Sequence, residues 1–239
     1  MASGGPERLF AALLLATGIA LAGWLAGEGF ARARASEHFV TVKGTSERDV
    51  SADVAIWPMR LTASSNDLET AHARLEDGLA KVREFLTREG VDLGDSRVQG
   101  FSVSDANARE WGTNNAKADR FVLQETLVVR SRDPDQVNAV SAKIGELVGA
   151  GVVLSGGEPI YVFTGLAELK PAMIAEATSR AREAAAQFAK DSKTRLGPIR
   201  RANQGLFEIL ARDATPITPE SSQVRKTVRV VTTVDYVLE

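Results

Sequence analysis

The chain holds two histidines, His38 and His72. A shared metal site would need both to converge with carboxylate help. Nothing in their spacing brings them together, so they read as ordinary surface or half-buried histidines. Serine hydrolysis needs a base and an orienting acid beside the nucleophile, and no Gly-x-Ser-x-Gly elbow is present. Gly149-Ala150-Gly151 and Ser155-Gly156-Gly157 are glycine-rich. They precede a strand pattern and lack the Lys-Ser/Thr of a phosphate loop, so they read as turns. Asp92, Asp95, Asp105 and Glu110 could be imagined as a calcium or acid/base set. Their order is not that of an EF-hand, and scattered loop acids are ordinarily just solvated. The basic tract Lys193, Arg195, Arg200, Arg201 is broken by Gly197-Pro198. It reads as a charged helix end favoured by the macrodipole, or as a contact for anionic head groups at about 1 kcal/mol per basic group. Trp111 stands in a hydrophilic loop and reads equally as an interface anchor or as an anchor on its own domain. No residue is assigned a catalytic, cofactor-binding or metal-binding role, no cofactor is expected, and the expectation is that the protein is not an enzyme.

Such residues must be positioned by secondary elements, and the apolar pattern predicts a series of them. Residues 38–43 read as a strand ended by Gly44, and 50–61 as a second strand. In the latter, Val50, Ala52, Val54 and Ile56 share one phase, and Trp57, Met59 and Leu61 the other. A phase change beside Pro58 predicts a bulge or edge, with a twist-inducing bulge preferred over a ligand or subunit contact. Leu68, Ala71, Leu75, Leu79, Val82 and Leu86 predict a helix over 66–89, capped by Asn66 with Glu69 and stopped by Gly90. Strands follow at 96–104 and 120–130, around the polar loop 105–119. Asp133-Pro134 opens a helix to Gly149. Residues 158–164 read as a strand. A long helix at 167–194 carries Leu169, Met173, Ala177, Ala181, Ala184 and Phe188 on one stripe. Strands at 199–211 and 224–238 close the chain around the loop 212–223. The expected fold class is α+β: two strand-helix-strand-strand units joined by a short helix, with antiparallel sheets packed against long helices. The two hairpin loops are long for their type, since most hairpins turn in ~2–5 residues.

At the N-terminus, Leu9 to Gly27 is free of charge. A transmembrane anchor needs ~20 apolar residues, which this run approaches. A cleaved signal peptide is the competing reading, with Ala20-Leu21-Ala22 as a small-x-small cleavage site. Residues 1–36 are therefore assigned to a signal or anchor plus linker, and 37–239 to one soluble domain. Either reading places that domain in the periplasm or cell envelope, with residues 9–27 as a tether to the inner membrane if they are kept. The chain carries a net charge of -2. Without Glu7, Arg8, Glu28, Arg32 and Arg34 it keeps 26 basic against 29 acidic residues. No field of one sign supports nucleic-acid binding. The absence of cysteine excludes disulfides and thiolate chemistry.

The pattern as a whole resembles the SIMPL-domain family of bacterial envelope proteins. The resemblance rests on VTVKGTSERDVSADVAIWPMRLTAS at 40–64, AHARLEDGLAKVREFLTREGVDLGDSRVQGFSVS at 71–104, AEATSRAREAAAQFAKDSKTRLGPI at 175–199 and VRVVTTVDYVLE at 228–239. These are structural patterns and bring no active-site residues with them. The resemblance implies an envelope location, an α+β fold, assembly with itself into a ring- or channel-like homo-oligomer, and a link to envelope or oxidative stress. Two other functions stay open: a periplasmic binding module for a lipid, a cell-wall fragment or a partner protein, and a hydrolase of unrecognised type.

Overall fold

The computed structural model describes residues 6–35, 38–108, 119–213, 215 and 218–239. Helix α1 spans Pro6–Ala35. Strand β1 (Phe39–Ser51) and strand β2 (Val54–Ser65) follow, then helix α2 (Leu68–Arg88). Strands β3 (Arg97–Asp105) and β4 (Phe121–Ser131) lead to helices α3 (Pro134–Ser141) and α4 (Gly145–Gly149). The short strand β5 (Ile160–Val162), helix α5 (Leu166–Asp191) and strands β6 (Leu196–Gln204), β7 (Glu208–Ala211) and β8 (Arg225–Leu238) complete the chain. The fold is α+β with two sheets, as expected. One sheet has the order β1-β8-β6 with β7 also on β8, and the other the order β3-β4-β2-β5. The strand at 158–164 shortens to β5 and joins the sheet of the first half beside β2, while β1 joins β8.

The chain divides into two compact units. The first comprises 1–46, 172–206 and 230–239. Its core is Val40, Val42, Ala181, Ala185, Val234 and Tyr236. Gly44 does not end its strand, because β1 runs through it. The glycine is there for a close approach: a Cβ at this position would lie 1.8 Å from the Ala177 carbonyl oxygen. The buried ridge of α5 is Met173, Ala177, Ala181, Ala185 and Ala189, a strict four-residue repeat. That ridge displaces the expected stripe, leaving Phe188 60% exposed. Four alanines in succession let the helix lie almost on the strand backbone.

The second unit comprises 47–171 and 207–229. The expected strand 50–61 is broken at Ala52-Asp53; beyond the break Val54 and Ile56 lie on the face of β2 opposite Trp57, Met59 and Leu61, with no bulge at Pro58. From Ala55 to Ser65, β2 pairs β4 in unbroken antiparallel register. Thr62 N donates to Val153 O, and Ser155 N donates to Arg60 O. Main-chain groups at even positions of β2 therefore face away from β4, and Pro58 sits where its missing N–H takes no ladder bond from β4. Trp57, Met59 and Leu61 point to the face covered by α2, whose Ala71, Leu75, Gly78, Leu79, Val82, Phe85 and Leu86 are buried. The cap of α2 is Asp67, which accepts from Thr70 N, whereas Asn66 accepts from Arg120 N. Asp133 caps α3 with Pro134 at its first position. The expected single helix to Gly149 is interrupted at 142–144.

Among the described residues, no helix is long and apolar enough to cross a membrane.

Candidate functional site: the open edge of the second sheet

Among the described residues, strand β3 ends its sheet, with β4 on one side only. Every residue in it is exposed or half-exposed. Its register with β4 runs Arg97↔Val128, Val98↔Leu127 and Gln99↔Thr126, then resumes at Ser102↔Gln124, Val103↔Leu123, Ser104↔Val122 and Asp105↔Phe121. Gly100 and Phe101 thus share one partner position, that of Glu125. A bulge of this kind needs an unusual backbone, and Gly100 supplies it at φ +70. The bulge re-phases the strand. Val98 and Val103, at even and odd positions, both lie on the face of Leu123 and Leu127, which are buried. Val98, Phe101 and Val103 are nevertheless 37%, 53% and 48% exposed. His72 of α2 meets the Phe101 ring edge-on, at 6.5 Å between centroids.

Glu125 lies opposite the bulge and is 7% exposed. In register with Leu61, it points to the face that α2 covers. Burial pushes its carboxyl above the usual range and Glu76 adds to the rise, while Arg83 and His72 pull the other way. A carboxyl so held is a protonatable group beneath an apolar edge. The sequence carries its signal, because Leu123, Glu125, Leu127 and Val129 share one alternating phase. A glutamate in an apolar phase is the mark that the pattern reading passed over. Lys226 gives the same signal between Val224 and Val228. It is fully buried, donating to the Glu220 carbonyl oxygen at 2.8 Å and to the Glu220 carboxylate.

A groove of about 550 Å³ lies elsewhere in the same unit, lined by Trp57, Asn138, Ile144, Leu154 and Tyr161. Trp57 Nε1 donates to Gly157 O at 2.6 Å, and the Tyr161 hydroxyl to Asn138 Oδ1 at 3.2 Å. A Cβ at Gly157 would meet the Pro58 carbonyl oxygen at 2.0 Å. The glycine-rich segment is therefore a close-packed border of β2.

The other residues singled out in the sequence are held locally. His38 is exposed at the start of β1, and His72 is exposed on the flank of α2. Asp92 accepts from Gly94 N, and Asp105 makes a two-bond pair with Arg120. Asp95 lines a groove with Arg130 and Arg132. Lys193 adopts φ 57 just past α5. Arg195 pairs with Glu239, Arg200 lies 4.5 Å over the Phe39 ring, and Arg201 stands in register with Asp235. Glu110 and Trp111 lie outside the described residues. Among the described residues, no group of three or more His, Cys, Asp or Glu could hold a metal ion.

The SIMPL family model, described as a protein of unknown function, matches residues 40–232. An uncharacterized protein YggE from Edwardsiella ictaluri is 28% identical over 129 residues, 54% of this chain and 53% of that protein. The match thus spans about half the length of that relative. A hydrolase from Listeria innocua is similar in structure at 15% identity and a TM-score of 0.22, covering 77% of this chain and 90% of that one. An uncharacterized conserved protein of the same organism follows at 13% identity and a TM-score of 0.17, covering 77% and 91%. Likenesses at these scores carry no argument about activity.

Proposed function

For a chain that belongs to the SIMPL family, we propose a non-enzymatic role in the cell envelope, exercised by self-assembly through the open edge of the second sheet. The observation that carries this reading is β3, an edge strand nine residues long whose Val98, Phe101 and Val103 are left in solvent. Unpaired edges with apolar side chains are templates for another strand. The uncharged run from Leu9 to Gly27 supports export, with the domain held in the periplasm by a tether or released into it. The partners are other copies of this chain and the membrane at the N-terminus. The ring- or channel-like form and the role in envelope or oxidative stress defence rest on the resemblance of 40–239 to the family.

Light scattering on the full chain in detergent, across a hundredfold concentration range, is the direct test. A discrete mass of two or more chains is the expected result. A mass of one chain throughout removes the assembly reading. In that case the groove beside Trp57 and Tyr161 favours the second reading, a binding module for a lipid, a cell-wall fragment or a partner protein. It would show itself as a ligand-dependent rise in melting temperature.

A further inference from the structure

We infer that β3 pairs antiparallel with β3 of a second copy, about a two-fold axis that passes between Gly100 and Phe101. The inference rests on the assembly reading above and gives it a register.

The bulge decides that register. Residues opposite one another on neighbouring strands point to the same face of a sheet. Before the bulge, Val98 lies on the α2 face and Arg97 and Gln99 on the other. After it, Val103 and Asp105 lie on the α2 face and Ser102 and Ser104 on the other. An axis through Phe101 itself would set Arg97 against the second copy's Asp105, an attractive pair by charge alone. Those two point to opposite faces, so that register fails. Moving the axis to the Gly100–Phe101 bond sets Val98 against Val103 and Gln99 against Ser102. Each pair then shares a face. An apolar pair meets an apolar pair on the α2 side, and two hydrogen-bonding side chains meet on the other. The charged residues, Arg97 and Asp105, stand at the two ends of the strand, so no like charges come opposite. A two-fold interface uses one patch twice and must be complementary to itself, which this strand is.

The absence of cysteine from the chain makes the register directly readable. Opposed residues on antiparallel strands have Cα atoms about 4.5–5.5 Å apart, within the span of a disulfide. The full chain is prepared in detergent as Val98→Cys and Val103→Cys, and separately as Gln99→Cys and Ser102→Cys. Each pair is mixed and oxidised. The expected result is a covalent dimer in each mixture, approaching about half of the chains, the statistical share of mixed pairs in a two-fold dimer. Each variant oxidised alone stays a monomer on a denaturing gel, because like positions lie several residues apart. A covalent dimer from a single variant overturns the register. So does a multimeric light-scattering mass with no crosslink in either mixture, and self-assembly then stands by another surface. A single-chain mass removes both the register and the assembly reading.

Discussion

At the scale of the residue, two charged groups sit where alternation calls for apolar ones, and each makes a prediction. Glu125 is buried on the α2 face, and its folded carboxyl titrates above the ordinary range, chiefly through burial. A raised carboxyl favours the protonated form in the folded state. Its contribution to stability is fully present below the unfolded value and is lost as pH rises through the folded value. Glu125→Gln keeps the shape and removes the charge. The variant is expected to melt above the parent at neutral pH, with the gap closing as pH falls below the ordinary carboxylate range. A melting series from pH 3 to 8 reads this directly, and a constant gap across it would sink the explanation. Lys226 is the opposite case, since its ammonium is satisfied by the Glu220 carbonyl and carboxylate. Lys226→Met leaves those acceptors to water at a partly exposed residue, and should cost about 1–3 kcal/mol in denaturant unfolding. An unchanged midpoint would mean that the buried pair only breaks even against an apolar replacement.

At the scale of the element, packing distance separates what could be read in the sequence from what could not. Gly44→Ala would drive a Cβ into the Ala177 carbonyl and to 2.5 Å from Ala181 N. Both are main-chain atoms and cannot step aside, so strand and helix must part. A loss of about 3 kcal/mol is expected by denaturant titration, at the upper end of the usual overpacking cost. Glycine reads locally as a stop signal, whereas the demand on Gly44 comes from a helix far along the chain. The same cause shifted the α5 stripe. Phe188 is the larger apolar residue, but only a methyl-sized ridge fits against β1, and Ala185 and Ala189 are buried in its place. The stripe of α2 and the Asp133-Pro134 start of α3 were legible because caps and apolar spacing act within a few residues. The open edge was not legible, for edge status depends on sheet order, which places β5 rather than β3 beside β2. That order exposes Val103, and Val103→Lys is expected to weaken self-association while leaving the fold intact. Two cross-strand pairs are touched per two-fold axis at up to about 1 kcal/mol each, or ~30-fold in the association constant. Light-scattering mass against concentration measures the shift, alongside an unchanged melting temperature.

At the scale of the whole molecule, the described side chains of α1 are exposed and largely apolar, and we propose that they meet lipid. Leu13, Leu14 and Leu15 are each 60–69% exposed, and three successive positions already sweep more than half of a helix circumference. Ile19, Leu21, Trp24 and Leu25 are exposed to a similar degree, so among the described residues from Leu13 to Leu25 no polar face is left to turn toward water. A helix apolar all round is covered by protein core or by lipid, and the described side chains here are covered by no protein. The expectation is that the chain is kept on the membrane through this segment. Cells expressing the full chain should then retain it in the membrane pellet after alkaline carbonate washing, with an intact N-terminus by mass spectrometry. A soluble product beginning just after Ala22 would instead identify the segment as a removed signal. The two fates differ in consequence as well as in location. Tethering confines every copy to the membrane plane, which raises the effective concentration at which one β3 meets another. The anchored chain should therefore assemble at far lower cellular abundance than a variant lacking residues 1–36 but exported by a cleavable leader. Disulfide capture between Val98→Cys and Val103→Cys chains in intact cells would compare the two, and equal yields would show that the membrane contributes nothing to assembly.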